Sequence, residues 1–206
     1  MCNLIPRLFD PDEGEILLDG TPLKDYSRGN LRNAIGYAPQ DVFLFSETVG
    51  QNVAFGMPGA TQEQIVEATQ MAGVYKNVVD FKEGFDTMVG ERGVTLSGGQ
   101  KQRLALARAW IRKPKLLILD DSLSAVDTST EELILGNLRL AREEDPNMSV
   151  IMVSHRISTI QDSDLIVVFD NGKVIESGTH ESLIAAEGYY ASIHHKQLLE
   201  EKYAQN

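Results

Sequence analysis

The chain has 206 residues, 42% of them hydrophobic and 24% charged, which fits a globular domain with a substantial core. Its 19 basic and 30 acidic residues give a formal net charge of -11, so a phosphate backbone would on average be repelled and we expect no nucleic-acid partner. The single cysteine, Cys2, cannot form an internal disulfide, and no stretch approaches the roughly 18 apolar residues that cross a bilayer. The first residues lack the pattern of a signal peptide. Together these features predict a cytosolic chain.

Strand and helix patterns alternate along the chain. Short runs rich in Leu, Ile and Val, typical of a sheet covered on both faces, predict strands at 15–18, 34–38, 116–119, 150–153, 165–169 and 174–176. Helical periodicity predicts helices at 61–72, 98–112, 128–142 and 188–202, with Thr61 and Thr128 as N-caps. This order predicts an α/β fold with a mostly parallel sheet. Region 48–112 carries helices without clear strands, which predicts an inserted helical subdomain.

The segment LSGGQKQRLALARAW, at positions 96–110, places two glycines after a serine at the start of a predicted helix. Glycine lets the backbone approach a ligand closely, and the unpaired N–H groups at a helix N-terminus favour an anion. A phosphate is therefore the candidate ligand. The same residues also fit a glycine-rich turn before an amphipathic helix whose core face carries Leu104, Ala107 and Ile111.

Two more polar residues follow predicted strands. Asp120 ends the apolar run KLLIL, at the strand edge where α/β sheets bind ligands and where a carboxylate can hold Mg²⁺ through water. His155 follows the apolar run SVIMVS and can reach the same edge. Each has a structural alternative, since Asp120 could cap a helix and His155 could be an ordinary surface or core histidine. Together, the glycine-rich helix start, Asp120 and His155 favour a site for phosphate chemistry.

With these motifs the chain resembles the nucleotide-binding domain of an ATP-binding cassette (ABC) transporter over almost its whole length. LSGGQ at 96–100 resembles the family signature, LLILDD at 116–121 the Walker B strand, and SAVD at 124–127 the D-loop. Gln40 matches the Q-loop glutamine and His155 the switch histidine. VFLFSETVGQNVAFG at 42–56 and VGERG at 89–93 resemble the exporter branch, the second being similar to the segment that contacts transmembrane coupling helices.

The resemblance implies a P-loop NTPase (RecA-like) core that uses ATP and Mg²⁺ and serves as the ATPase subunit of an exporter. Such domains lie at the cytoplasmic face of the membrane, beside transmembrane domains, and pair head to tail with a second nucleotide-binding domain. The site residues implied are Asp121, His155 and Gln40 for catalysis; Asp120 and Gln40 for the metal; Leu96, Ser97, Gly98, Gly99 and Gln100 for the partner's nucleotide; Ser124, Ala125, Val126 and Asp127 in the D-loop; and Gly90, Glu91, Arg92 and Gly93 for coupling.

The sequence departs from the family pattern at its beginning. Family members start with a strand and a Walker A loop, GxxxxGK[ST], whose amides and lysine cradle the phosphates. This sequence contains neither, and MCNLIPRLFDPDEGEILLDG resembles the helix immediately after that loop. We therefore expect a fragment of a longer domain, inactive as an ATPase by itself. A catalytically inactive remnant or interaction module is the alternative.

A second departure is Asp121, where the family usually has the glutamate that positions or deprotonates the attacking water. Aspartate is one methylene shorter, so its carboxylate should fall short by about an ångström of the distance that a base needs. A misplacement of that size costs roughly 10²-fold in rate. Since the signature is intact, the chain resembles the degenerate-site half of a heterodimeric exporter with a non-identical partner.

A non-transport ABC ATPase of the DNA-repair or chromosome type is a further alternative. Those proteins place long coiled coils between the Q-loop and the signature, whereas positions 41 to 95, only 55 residues, separate Gln40 from Leu96 here. The acidic net charge also argues against this alternative.

Overall fold

The computed structural model describes residues 2–90 and 95–204. The chain divides into two compact units, one ending at Val153 and the other beginning at Ser154. Neither described range contains a helix that is both long and apolar enough to span a membrane.

The first unit carries strands β1 to β5 and helices α1 to α6, with short 3-10 turns at Leu23–Asp25 and Gly84–Asp86. The strands are β1 (Leu17–Leu18), β2 (Thr21–Pro22), β3 (Ile35–Ala38), β4 (Leu116–Asp120) and β5 (Ser149–Val153). The helices are α1 (Arg28–Ala34), α2 (Val49–Ala54), α3 (Gln62–Met71), α4 (Tyr75–Val79), α5 (Gly98–Trp110) and α6 (Thr128–Glu144).

A three-stranded parallel sheet in the order β3-β4-β5 organises the first unit, while β1 and β2 form a small antiparallel pair. In the central strand β4, Leu117, Ile118 and Leu119 are at most 2% exposed, because both faces of the sheet are covered. The register pairs Ala38 with Leu119 and Asp120 with Val153. The carboxyl ends of the three strands therefore meet at one edge, as expected for the predicted α/β fold, which is confirmed.

Helices α2 to α5 lie between β3 and β4 in the chain. Helix α5 packs against β3, α2 and α3, and its residues Leu104, Leu106 and Ala107 are at most 1% exposed. A helix buried on several sides is apolar around most of its circumference, as this one is. The core of the unit joins α5 to the inner faces of α2, α3 and α4 and to β4.

Two polar residues, the partly buried Arg108 and the buried Asn52, hold the irregular segment after β3 against α5. The guanidinium of Arg108 donates to the backbone carbonyls of Asn52 and Phe43 and to Oδ1 of Asn52, at 2.8, 2.9 and 2.9 Å. The Asn52 amide in turn donates to the carbonyl of Phe45 at 3.0 Å and accepts from its N–H at 2.9 Å. The Arg108 guanidinium also lies 5.4 Å from the centre of the Phe45 ring, within cation–π range. This pair orders a stretch that has no regular secondary structure.

The second unit contains helix α7 (Ile157–Ile160), strands β6 (Ile166–Asp170) and β7 (Lys173–Gly178), and helices α8 (His180–Ala185) and α9 (Tyr189–Ala204). Its small core is formed by Ile157, Ile166, Leu183 and Tyr190. Strands β6 and β7 pair with each other in antiparallel fashion, a pairing that the predicted, mostly parallel sheet did not specify. The cause is the Asn171-Gly172 turn, whose φ angles of 47° and 76° are those of a two-residue hairpin.

The capping predictions had different outcomes. Thr61 is the N-cap of α3 and forms a capping box with Gln64, as predicted. For α6, the prediction of Thr128 as the cap is wrong: Asp127 is the N-cap, its carboxylate accepting from the Thr130 N–H at 3.0 Å. Aspartate accepts at an N-cap at least as well as threonine does, and Thr128 is the first helical residue instead.

We expect Gly36→Ala to destabilise the first unit. Gly36 pairs with Leu117 in the sheet, and an added Cβ would press on the backbone carbonyl oxygen of Ala109 and lie 2.8 Å from Cγ of Pro114. Overpacking of this kind costs about 1–3 kcal/mol in the free energy of unfolding. Equilibrium denaturation measures the effect.

Gly29→Ala is the matched control, since a Cβ added there in α1 meets nothing within 4 Å. Alanine is a better helix former than glycine, so we expect this variant to be as stable as the unaltered protein or slightly more stable. Equal denaturation midpoints for the two variants would show that the packing at Gly36 is looser than described.

Candidate functional site

The carboxylate of Asp120 lies at the end of β4, beside the neighbouring strand β3. The hydroxyl of Tyr37, from β3, lies 3.1 Å from Oδ2 of Asp120 and 2.9 Å from Oδ1 of Asn3, and it can donate to either acceptor. Burial, followed by the hydrogen bond to Asp120, raises the pKa of Tyr37 to about 12. Tyr37 therefore stays protonated at neutral pH and orients the Asp120 side chain.

Asp121 is held through its backbone as well as its side chain. Its φ of 48° lies in the left-handed region, which aspartate tolerates better than most residues. The Asp121 N–H donates to the carbonyl of Val153 at 2.9 Å, extending the contact between β4 and β5. Nε2 of Gln40 lies 3.3 Å from Oδ2 of Asp121. The structure thus brings together two of the residues that the sequence singled out for catalysis.

The side chains at this edge indicate how the Mg²⁺ that the family resemblance implies would be bound. Within residues 2–90 and 95–204, no three or more His, Cys, Asp or Glu side chains are grouped so that they could hold a metal ion. Magnesium, however, is usually held by one or two carboxylates together with water and the phosphates of its substrate. The Asp120 carboxylate and the Gln40 amide fit that mode of binding and do not fit a closed, all-protein metal site.

The first turn of α5 carries the serine and glycines of the signature-like segment. Ser97 is the N-cap: its Oγ accepts from the Gln100 N–H at 3.2 Å, and Oε1 of Gln100 accepts from the Ser97 N–H at 2.9 Å. This capping box fixes the start of the helix. The N–H groups of a first helical turn have no intrahelical acceptor, and the helix dipole is positive there, so the turn suits an anion. Leu96, in contrast, is 6% exposed and belongs to the core.

Helix α5 and the segment after Asp121 approach each other closely. A Cβ added to Gly99 would lie 2.5 Å from the backbone oxygen of Ala125, so only glycine fits at this position without a shift of the backbone. A Cβ added to Gly98 would lie 3.4 Å from Cβ of Ala125, an ordinary contact. The second glycine of the signature-like segment is therefore required by packing, quite apart from any ligand.

Gln102, one turn further along α5, bonds to the same segment. Its Nε2 donates to Oγ of Ser124 at 3.0 Å and lies 3.5 Å from the carbonyl oxygen of Asp121, while its Oε1 accepts from the Ala125 N–H at 2.9 Å. The Ser124 hydroxyl donates in turn to the Asp121 carbonyl at 2.8 Å. Sequence reasoning missed Gln102. The signal available was its position three residues after Gly99, on the same face of the helix.

Arg103 and Asp127 complete this junction. The Arg103 guanidinium donates to the carbonyls of Gly99 and Gly73 at 3.2 and 2.6 Å. Burial lowers the pKa of Arg103, and the negative charge of Asp127 opposes that effect. Hydrogen bonds from Ser129 and Thr130 hold the pKa of Asp127 far below its usual range, so Asp127 is ionised at neutral pH. Val126, the residue before Asp127, is buried in the core.

Some predicted site residues lie elsewhere. His155 belongs to the second compact unit, where its backbone carbonyl accepts from Nε2 of Gln197 at 2.6 Å. Gly90 has a φ of 95°, and a Cβ there would lie 3.0 Å from Oγ of Ser46. Glu91, Arg92 and Gly93, predicted to contact transmembrane domains, lie outside the described residues.

Comparison with known proteins gives consistent results. The model of the ABC transporter family matches residues 1–124. A Staphylococcus aureus protein of strain NCTC 8325, named as a multidrug export ATP-binding/permease protein, is 46% identical over 199 residues, which are 97% of this chain and 34% of that protein. A protein of the same name from the bovine strain RF122 is 45% identical over the same lengths.

A solved structure of a bacterial Atm1-family ABC exporter with ATP bound also matches the chain, with a TM-score of 0.89 and 40% sequence identity. The match covers 95% of this chain and 34% of that one. The chain thus spans about a third of the length of the relatives it matches. With a family model over more than half of its residues and relatives above 40% identity, the chain belongs to the ABC transporter family.

Proposed function

We propose that this chain is the part of an ABC exporter that binds and hydrolyses ATP, working at the cytoplasmic face beside transmembrane domains. The observation that carries the proposal is the edge of the parallel sheet, where Asp120 ends β4, Asp121 follows it, and Nε2 of Gln40 lies 3.3 Å from the Asp121 carboxylate. Family membership adds nucleotide binding to that geometry. The relatives' names, which combine export with an ATP-binding/permease protein, support the link to transport.

In this proposal the residues at the sheet edge have distinct roles. Asp120 and Gln40 would hold Mg²⁺, which would supply positive charge beside the phosphates of the nucleotide. Asp121 accepts the proton of the attacking water or orients that water, and His155 serves as the switch histidine in catalysis. The hydrogen bond from Tyr37 keeps the Asp120 carboxylate turned toward the edge. Gln40, through its bond to Asp121, keeps the base close to the metal-holding residues.

The start of α5 serves a second nucleotide, bound by a partner domain. In the proposal, Leu96 packs the signature segment onto the core, and Ser97, Gly98, Gly99 and Gln100 present the first turn of α5 to the partner's ATP. The capping box between Ser97 and Gln100 supports this role, because it fixes the helix end that would contact the phosphates. The D-loop, Ser124 to Asp127, lies beside that turn.

Contacts with the rest of the transporter complete the proposal. Region 48–112 forms the helical subdomain, and Gly90, Glu91, Arg92 and Gly93 contact the coupling helices of the transmembrane domains. Helices α2 to α5 and the Arg108–Asn52 pair support a rigid unit in this region. Such a unit can pass a displacement at the coupling helices to the signature end of α5.

We further propose that the chain's own nucleotide site is the slow one of two and that its partner is not identical to it. The short side chain of Asp121 supports this proposal. Its carboxylate lies next to Gln40, and an aspartate reaches one methylene less far toward an attacking water than a glutamate would. The signature end of α5, in contrast, is complete and capped. The fast site would thus combine the partner's carboxylate with Ser97 to Gln100 of this chain.

Three substitutions test this asymmetry in the assembled exporter. Ser97→Arg blocks the phosphate contact of the fast site, so we expect ATP turnover to fall by roughly 10²-fold. Asp121→Asn alters only the slow site and should lower turnover less than about twofold. Asp121→Glu restores the missing methylene and should raise hydrolysis at the slow site. Steady-state ATPase assays on the purified assembly measure all three.

The partner's own catalytic carboxylate provides the control, because its neutralisation should abolish turnover. Equal losses in Ser97→Arg and Asp121→Asn would contradict the proposed asymmetry of the two sites. If the unaltered assembly hydrolysed no ATP, the proposed function itself would be wrong.

A further inference from the structure

Gln102 is a buried amide whose hydrogen bonds all go to one neighbouring loop. The side chain lies in α5, where the residue is 7% exposed, among buried neighbours such as Leu104 and Leu106. A buried amide is costly unless its polar atoms are paired. Here its Nε2 and Oε1 pair with Ser124 and Ala125, and Nε2 also lies near the Asp121 carbonyl. The helix could be packed at this position by an apolar side chain of the same length.

The loop that Gln102 holds begins at the candidate base. Asp121 itself is fixed by the bond from its N–H to the Val153 carbonyl. Three residues later, Ser124 donates to the Asp121 carbonyl and accepts from Gln102. The Gln102 amide thus touches both the backbone of Asp121 and the D-loop residue bonded to it.

The first turn of α5, which carries the signature-like segment, contacts the same loop. Gly99 lies three residues before Gln102 on the same face of α5, and its backbone packs against Ala125 with no room for a Cβ. Arg103, the next residue, ties the Gly99 carbonyl to Gly73. Two points of attachment, Gly99 and Gln102, therefore join the first turns of α5 to the loop 121–125.

We propose that Gln102 is a positioning residue that couples the two nucleotide sites within this chain. This inference rests on the proposed function, in which Asp121 serves the chain's own nucleotide and the first turn of α5 serves the partner's. When the partner's ATP draws the signature turn toward it, the Gln102 amide carries Ser124, Ala125 and the Asp121 carbonyl with the helix. Gln102 itself touches no nucleotide.

The substitution Gln102→Met distinguishes the proposed coupling role of Gln102 from a role in packing alone. Methionine has nearly the length and volume of glutamine and suits a helix, but it offers neither donor nor acceptor of comparable strength. In the assembled exporter we expect kcat for ATP to fall roughly 10- to 100-fold, with KM changed less than about twofold, because the misplaced groups act after binding.

Hydrogen exchange in the same assembly tests the geometry without relying on activity. The Ala125 N–H should exchange faster in Gln102→Met than in the unaltered protein. Thr69→Val is the matched control: Thr69 is fully buried in α3 and donates to the Val66 carbonyl, so the variant also loses a buried hydrogen bond, away from the loop 121–125. We expect Thr69→Val to leave kcat and the exchange at Ala125 unchanged.

The outcomes distinguish the inference from the function on which it rests. If the unaltered assembly hydrolyses ATP and Gln102→Met matches Thr69→Val in kcat, the coupling role is overturned while the function stands. Unchanged exchange at Ala125 in Gln102→Met would likewise overturn it, because the amide would then not hold the loop. An unaltered assembly without ATP hydrolysis would overturn the proposed function and the inference together.

Discussion

The close packing of α5 against the loop after β4 is the contact on which the rest of the site depends. Gly99 and the Ala125 carbonyl approach to a distance that excludes a Cβ, and Gln102 bonds to the same loop one turn later. Because of this contact, the N-terminal turn of α5 and the pair of strand-end carboxylates belong to one junction. Neither feature alone indicates a nucleotide site, since helix N-termini and strand-end aspartates are common.

The buried sheet supplies the fixed frame for this junction. Strand β4 is covered on both faces, so its apolar run must end where the chain reaches solvent, and the two aspartates stand at that point. The parallel register with β3 places Tyr37 one strand away from Asp120. The register with β5 lets the Val153 carbonyl receive the Asp121 N–H. The two neighbouring strands thus contact the aspartates in different ways, Asp120 through its carboxylate and Asp121 through its backbone N–H.

The sequence predicted those features that local chemistry determines. The apolar run of β4, the periodic pattern of α5 and the Thr61 cap need only nearby residues, and all three agree with the structure. Helices of four to seven residues, such as α1, α2, α4, α7 and α8, were missed, because one or two turns carry too little periodicity to be recognised and depend on tertiary packing. The β6–β7 hairpin was not predicted, although the Asn171-Gly172 turn is a local signal for one.

Within the site, the contacts that join distant residues lay beyond local patterns. Gln102 lies 22 positions from Ser124, and Arg108 lies 56 positions from Asn52, so no window along the chain shows that these polar groups are partners. The aspartates and glycines were found because motifs concentrate them, whereas the residues that hold them in place are scattered. The sequence signal for such residues is a polar side chain at a position of a predicted helix that faces the core, since burial requires that the side chain find partners.

The proposed asymmetry gives this chain a complete signature for a fast site and a weak base for a slow one. The nucleotide content of the assembled exporter, loaded with ATP and Mg²⁺ and analysed after a single turnover, tests it without reference to any variant. We expect one nucleotide to be converted to ADP while the ATP at the Asp121 site remains intact. Conversion of both nucleotides at the same rate would contradict the asymmetry.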